Sequence, residues 1–517
     1  MSKYIYLNIF LILAVIYMLY KSRHAYHMLQ LESYKNKRYL KWIKNNRIIF
    51  IKDLILIIPT IVTIFNQKLG LILNALWLFI LIIFRTKNVE KKPLVITSRI
   101  KRMYFTEIIL LTAILVISNI YYNVFVAMSI NLLIILSYIY ILVINIINSP
   151  IEKLVQLKFY NRAKRKLKEN PNLEVIGITG SYGKTSTKYI LGTILSQKYN
   201  TLITPESYNT TMGVVRTINE KLNSTHQIFV CEMGAKNIGD IKEICDLVKP
   251  TYGVLTAIGP QHLETFKTIE NVKKTKLELI DSLPEDGIAF VNSEDENIRD
   301  INFKGNTIKF GTSEECDYYA ENVNIDEFGS SFDIIMKSGR KIHVKTKLLG
   351  THNIINIVGA VAVANELGLS ENEIIRGIRF LKPVTHRLEL KRNPNGSIII
   401  DDAYNSNVKG AKTALEVLKT FENMKKILIT PGIVDLGAKT EEYNKELGKQ
   451  AAVSADFIIL VGEKQAEPIL KGIKETKYNN EKIFVAKNLT EAITKMNEII
   501  DSNTVVLFEN DLPDNYL

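Results

Sequence analysis

Two kinds of hydrophobic patterning divide this chain. Through the first 150 residues the apolar positions come in long runs, roughly 4–20, 48–66, 69–85, 105–122 and 125–147. A helix needs about 20 apolar residues to cross a bilayer, so five spans are expected. The second and third runs are parted only around 66–68, and the fourth and fifth near 121–123, so each pair reads as a helical hairpin. From Asn172 onward the pattern becomes short β-rich runs alternating with helical stretches: LEVIGITG, NTLITP, QIFVCEMG, YGVLTAIG and GIAFVN. That alternation predicts a mostly parallel sheet covered by helices. Residues 303–349 read instead as short strands with turns, a small antiparallel appendage, followed by helices over 352–367 and 370–380. A second α/β series starts near Val384 with SIIIDDAY, KILITPG, DFIILVG, KIFVAK and TVVLFEN. The Pro383 region between the two series is the expected hinge.

Charge sharpens the division. Residues 1–169 carry 25 Lys and Arg against 6 Asp and Glu, whereas the remainder carries 41 against 47. The positive charge is therefore absent from the folded α/β part, which argues against nucleic acid as a partner. It lies instead in 21–47, 85–104 and 153–168, with eight, seven and seven basic residues. Basic loops stay cytoplasmic, so the N-terminus is expected outside, with five spans delivering everything after Pro150 to the cytoplasm. The first run is read as a retained helix, and the basic stretch 154–170 as a linker helix beside lipid headgroups. Cys231, Cys245 and Cys316 form no CxxC pair and suit a reducing compartment.

The candidate chemistry begins at GITGSYGKTST, residues 177–187. A strand, a glycine-bracketed loop, a lysine and hydroxyls at a helix start are what a phosphate loop requires. Gly180 and Gly183 let backbone N–H groups approach an anion, with Ser181 and Ser186 in the same segment. Lys184 is expected to reach the outer phosphates and Thr185 to bind Mg²⁺. The fuller GxxxxGK[ST] pattern is not met, because Ile178 stands at its first glycine. Glu232 in CEMG and His262 in GPQHLETF follow the next strands. Ligands of parallel sheets gather at the carboxyl ends of strands, so Thr185, Glu232 and His262 should converge.

In order, GITGSYGKTST, ESYNTTMG, EMG, GPQHLETF, KTKLEL, GTHNIIN, HRLEL and IDDAYNSN resemble the motif series of the Mur ligase family. The resemblance covers about 172–517, and DDAYNSN with FENDLPDNY is most similar to the members that add a D-alanyl-D-alanine dipeptide. It implies a central ATPase domain at 172–383 and a Rossmann-like C-terminal domain at 384–517, which with the membrane region at 1–150 and the basic linker helix at 151–171 read above make a multi-domain chain, helical first and α/β after. It implies ATP and Mg²⁺ as cofactors, with Lys184, Thr185, Glu232 and His262 holding phosphates and metal. Lys276 matches the lysine that the family carbamylates. Asn353 is similar to the asparagine near adenine, and Arg387 to the arginine at the domain junction. Asp402 would bind ribose, with Tyr404 and Asn407 beside it. Asn209 and Thr210 fall where the family approaches its acceptor, and Asp435 where it chooses the incoming amino acid or dipeptide.

The implied reaction is peptide-bond formation in cell-wall precursor synthesis, through an acyl phosphate. Family members ordinarily begin with a small soluble domain that grips UDP. Here the apolar runs reach almost to residue 147, so a lipid-linked precursor presented at the inner membrane surface is expected. Two rival readings remain. A ligase for polyglutamate or an archaeal wall peptide would keep the ATP residues and change the acceptor contacts. A nucleotide-driven transporter or sensor would place ionisable residues within the spans; Lys52, Asp53 and Glu107 lie near span ends, which favours anchoring.

Overall fold

The computed structural model describes residues 2–511 apart from 85–92, 121–123, 327, 404–406, 435, 437 and 438. The chain forms two compact units, Met1–Leu157 and Lys158–Leu512.

In the first unit α1 (Ser2–Leu31) and α2 (Asn36–Asn45) precede a 3₁₀ segment, Arg47–Leu56, which leads into α3 (Ile57–Phe65). Then follow α4 (Gln67–Ile83), α5 (Ser98–Ile120), α6 (Val124–Ile135) and α7 (Ser137–Lys168). Among the described residues, three segments are long and apolar enough to cross a membrane: Ile5–Leu31, Arg47–Phe65 and Ser137–Lys168. Gln67–Ile83 is a shorter apolar helix. Of the five expected runs, 105–122 reaches residues outside the described set, and the run at 125–147 is divided at Leu136 between α6 and α7.

This unit buries a hydrophobic cluster with a few polar groups set in it, and also exposes apolar stripes. Ile5, Ile9, Ile12 and Ile16 form an exposed stripe on α1, and Leu69, Ile72, Leu76, Phe79 and Ile83 do the same on α4. Inside, Lys21 pairs with Asp53 and donates to the Ile134 carbonyl at 3.0 Å, while Tyr17 donates to Asp53 at 2.6 Å. Glu107 accepts from Ser22, and from Tyr26 at 2.9 Å. Asn131 bridges Thr60 and Asn74 at 2.7 and 2.6 Å. In the sequence Asp53 and Glu107 stand only as ionisable residues near span ends. Because α1 continues to Leu31, Lys21 and Ser22 are carried to them, and all are buried.

The second unit starts with the last turns of α7. The basic stretch expected to lie on headgroups packs here through Tyr160, Ala163 and Leu167 against a hydrophobic cluster. Lys166 donates to the carbonyls of Ile218 and Asn219, each at 3.1 Å. Nine strands follow in one sheet: β1 (Glu174–Thr179), β2 (Thr201–Ile203), β3 (Ile228–Glu232), β4 (Tyr252–Leu255), β5 (Ile288–Asn292), β6 (Asn306–Gly311), β7 (Tyr318–Asp326), β8 (Gly329–Ile335) and β9 (Lys341–Thr346). Their order is β2-β3-β1-β4-β5-β6-β7-β8-β9. Pairing is parallel from β2 through β7 and antiparallel across β7-β8-β9. The expected antiparallel appendage is thus an extension of the main sheet, with β6 paired in parallel to β5 over residues 288–292 and only β7-β8-β9 antiparallel.

Alternate residues of β1 enter two cores. Ile176 and Ile178 pack under α8 (Lys184–Leu195), in one cluster with Ile354, Ile357, Ile374 and Ile378. Val175 faces the side of α9 (Thr211–Lys221), α10 (Asp240–Val248) and α12 (Ile269–Leu277). The period of two with both faces buried is the signature of a central parallel strand. Short helices α11 (Leu263–Phe266) and α13 (Glu296–Arg299) lie in the crossovers, and α14 (Thr351–Glu366) and α15 (Glu371–Arg379) follow β9.

A six-stranded sheet completes the unit, ordered β10-β11-β15-β12-β13-β14. Its strands are β10 (Glu389–Arg392), β11 (Ile398–Asp402), β12 (Lys425–Thr430), β13 (Phe457–Val461), β14 (Ile483–Ala486) and β15 (Thr504–Glu509). β10 is an antiparallel edge and the others are parallel. Helices α16 (Val408–Lys419), α17 (Thr440–Ala452), α18 (Glu463–Lys474) and α19 (Leu489–Ile499) connect them. The salt bridge Lys409–Asp295, at 3.6 Å, joins this part to the nine-stranded part.

Candidate active site

Register places the chemistry. β3, β1 and β4 are neighbours, with Ile178 opposite Glu232 and Thr179 opposite Leu255, so the loops after them open at one sheet edge. The loop after β1 turns through Gly180 (φ 154°) and Gly183 (φ 79°), both outside the comfortable range of a side-chain-bearing residue. A Cβ at Gly180 would stand 2.1 Å from Thr256 Oγ1. The loop is sewn to the one after β4: Ser181 N donates to the Ala257 carbonyl at 2.7 Å, and Ser181 Oγ bonds Gly259 at 3.0 Å. The Ser181 hydroxyl therefore holds loop to loop.

Lys184 opens α8 and curls back, donating to the carbonyls of Gly180 at 2.6 Å and Ser181 at 3.1 Å. Burial lowers its pKa to about 8, against the opposing pull of Glu232, and Arg387 adds to the lowering. Ser186 is half-buried in the same first turn.

Glu232 is the hub. Its Oε1 accepts from Thr185 Oγ1 at 3.1 Å and from Asn209 Nδ2 at 2.8 Å, and its Oε2 accepts from Lys188 Nζ at 3.0 Å. From sequence Glu232 is expected just past its strand; it is instead the last residue of β3 and fully buried, where these three donors compensate. His262 sits on the neighbouring loop after β4, half-buried and left-handed (φ 52°), at the start of α11. The Thr185 hydroxyl and the Glu232 carboxylate, 3.1 Å apart, are hard oxygen donors of the kind Mg²⁺ takes, whereas the His262 imidazole is a nitrogen donor that Mg²⁺ uses less often. The Thr185 hydrogen is turned to Glu232, which leaves the hydroxyl lone pairs to act as ligands.

Lys276 lies buried on α12, and its ammonium makes no hydrogen bond or ion pair among the described residues. Burial drives its pKa well below the ordinary value; the Lys184 charge pushes the same way, and Glu278, Asp240 and Glu232 oppose. Lys184, Lys276 and Glu232 thus share one electrostatic environment.

Asn353, at the start of α14, is buried and donates to the Leu349 carbonyl at 2.8 Å. Asp402 accepts the Leu388 amide at 3.1 Å; burial raises its pKa while Arg387 pulls it down. Arg387 is therefore felt by Asp402, Lys184 and His352 together. Two expected site residues have structural work: Asn407 caps α16 by accepting from Gly410 N at 2.8 Å, and Thr210 caps α9 through Gly213 N at 3.3 Å. Tyr404 and Asp435 lie outside the described residues.

Two residues are not singled out by the sequence. Lys188, one turn beyond Lys184, is completely buried against Glu232. Asn356 is buried with an unpartnered Nδ2, and its side chain stands 3.0 Å from where a Gly183 Cβ would be. Spacing is the available signal: Lys188 is four residues after Lys184, and Asn356 three after Asn353.

Two family models match this architecture, the Mur ligase middle domain over residues 178–364 and the Mur ligase glutamate ligase domain over 386–509. The chain belongs to the Mur ligase family. Its Mur ligase relatives include the UDP-N-acetylmuramoyl-tripeptide–D-alanyl-D-alanine ligases of Bacillus subtilis (strain 168), 32% identical over 285 residues, and of Escherichia coli (strain K12), 31% identical over 294. These alignments cover 55% and 56% of this chain and 61% and 64% of the relatives, so the chain spans under two thirds of their length. A solved MurF ligase from Thermotoga maritima, in complex with ADP, is 28% identical with a TM-score of 0.62, covering 69% of this chain and 80% of that one. Both family matches begin after the apolar helices.

Proposed function

We propose that this chain is a membrane-anchored, ATP-dependent ligase that joins the carboxylate of a cell-wall peptide precursor to an amine, of the D-alanyl-D-alanine type. The observation that carries the reading is Glu232, whose one carboxylate oxygen receives both Thr185 of the phosphate loop and Asn209 of the acceptor-side loop. Phosphate chemistry and acceptor are thereby held to one group.

A carboxylate is a poor acyl donor at neutral pH because oxide would have to leave. Moving the γ-phosphoryl of ATP onto a carboxylate oxygen gives an acyl phosphate and ADP. The amine then attacks the acyl carbon, an amide forms, and phosphate and a proton depart. Gly180 and Gly183 present backbone N–H groups to the phosphates, and Lys184 offsets their charge. Thr185, Glu232 and His262 would hold Mg²⁺, which supplies charge stabilisation of the transferring phosphoryl. Neutral Lys276 is a nucleophile toward CO₂: its amine adds to the carbon, releases a proton and becomes a carbamate anion beside Lys184. Arg387 and Asp402 bring the C-terminal part onto the nucleotide and exclude water that would hydrolyse the acyl phosphate.

The helical unit supports anchoring, since its outer surface carries apolar stripes on α1 and α4 while Lys21 and Asp53 are paired inside. Catalytic parts on the cytoplasmic side and a lipid-linked acceptor follow from the basic loops and this anchor. Phosphate release by the full chain, over a matrix of UDP-linked and lipid-linked precursors with amino acids and dipeptides, tests the reading. Release that requires a cell-wall acid and D-alanyl-D-alanine supports it; release only with glutamate and a polyglutamate acceptor replaces it. Release indifferent to any acid or amine removes it.

A further inference from the structure

A lysine with no exposed surface is rare, and Lys188 is one. It lies on α8 one turn below Lys184, under the phosphate loop. Its ammonium donates to Glu232 Oε2 at 3.0 Å and to the backbone carbonyl of Glu206. Glu206 is left-handed (φ 41°), a strained conformation for a residue with a Cβ, and it sits in the segment 204–210 between β2 and α9. The same segment returns to Glu232 twice more. Thr204 Oγ1 accepts the Glu232 amide at 3.1 Å, and Asn209 donates to Glu232 Oε1 at 2.8 Å. Asn209 also accepts the Gly234 amide through its carbonyl at 2.7 Å.

These contacts assign the two carboxylate oxygens different tasks. Oε2 is committed to an ammonium with no other side-chain acceptor among the described residues. Oε1 is the oxygen on which the phosphate loop and the acceptor-side segment converge. An ion pair kept only for packing would not need to hold a strained carbonyl as well.

We propose that Lys188 is a positioning residue: it fixes the Glu232 carboxylate so that Oε1 faces the phosphate loop, and it ties segment 204–210 to that carboxylate, so that loading of metal–nucleotide orders the acceptor side. Only the acceptor-side assignment rests on the ligase reading; the linkage between the carboxylate and the segment does not.

The test uses the full chain in detergent micelles. In the unaltered protein, adding Mg²⁺ and ADP slows amide hydrogen exchange across 204–210 by about threefold or more. In Lys188→Met, Mn²⁺ binding in the presence of ADP, read by electron paramagnetic resonance, weakens by about tenfold, as when a group orienting a metal ligand is removed. Exchange at 204–210 becomes fast and stops responding to Mg²⁺–ADP, and the acceptor KM rises more than the ATP KM. If Lys188→Met fails to fold, K188M/E232Q, which buries neither charge, is compared with E232Q alone. Faster exchange at 204–210 in the double variant supports the tie, and equal exchange overturns it. Unchanged Mn²⁺ affinity and unchanged exchange in K188M also overturn it. Should no acid–amine pair release phosphate, the ligase reading falls, while the metal and exchange measurements still decide Lys188.

Discussion

His386 and Asp401 are joined Nδ1 to Oδ2 at 2.8 Å, and the very next residue of β11, Asp402, holds the Leu388 amide at 3.1 Å. The residues on either side of Arg387 are thus held by consecutive aspartates. His386 and Leu388 are both left-handed, at φ 59° and 46°, a costly conformation that these two clamps sustain. Asp401→Asn is expected to raise the ATP KM by about tenfold, the worth of one charge-assisted hydrogen bond, with kcat changed less. Steady-state kinetics over ATP concentration checks it.

The phosphate loop makes a steric prediction. Gly180→Ala puts a methyl where Thr256 Oγ1 leaves 2.1 Å, so the loop must shift. A displacement of that order lowers kcat/KM for ATP by about 100-fold or more. Nucleotide binding by calorimetry and the thermal midpoint separate this from unfolding.

Lys184 gives the pH dependence. With its pKa lowered to about 8, it loses its proton above that pH, and kcat/KM for ATP falls on the alkaline side with an inflection near 8. Stability moves oppositely. The unfolded chain holds this proton up to about 10.4, so it binds more protons than the folded chain between these values. The contribution of Lys184 to stability therefore rises with pH across that window. A pH series of rates and of thermal midpoints for the unaltered protein and Lys184→Met shows whether both trends belong to this residue.

Lys276 predicts CO₂ dependence. Burial holds its amine well below the ordinary lysine pKa, which favours the neutral form that can take up CO₂ as a carbamate. Activity in carbon-dioxide-depleted buffer falls and returns with bicarbonate. Lys276→Arg, which cannot form the carbamate, loses about 100-fold or more in kcat.

In the helical unit, Lys21→Met leaves Asp53 buried without its cation. A loss of about 3–5 kcal/mol is expected, and Lys21→Met with Asp53→Asn together restores most of it. Thermal unfolding in detergent reads both.

Much of the fold is legible in the sequence because the strands are buried on both faces. LEVIGITG, QIFVCEMG and YGVLTAIG announce β1, β3 and β4, and their ends fix where Thr185, Glu232 and His262 emerge. β10 is not legible because Glu389–Arg392 is a short, charged edge strand with no apolar alternation. The fusion of β6–β9 into the main sheet is hidden since turn signals mark hairpins but not which strand the first one joins. Lys188 is invisible for a different reason: a lysine on a helix reads as solvated until the strand behind it supplies Glu232. The buried polar groups of the helical unit escape notice because α1 runs on to Leu31, well past the end of its apolar run, which brings Lys21 and Ser22 inside.

The most direct measurement follows the oxygen. If the acid is activated by ATP, a precursor whose reacting carboxylate carries heavy oxygen transfers one labelled atom to the phosphate released with each amide formed. Phosphate emerging wholly unlabelled while amide accumulates contradicts an acyl phosphate, and with it the roles of Lys184, Glu232 and Lys276 in forming one.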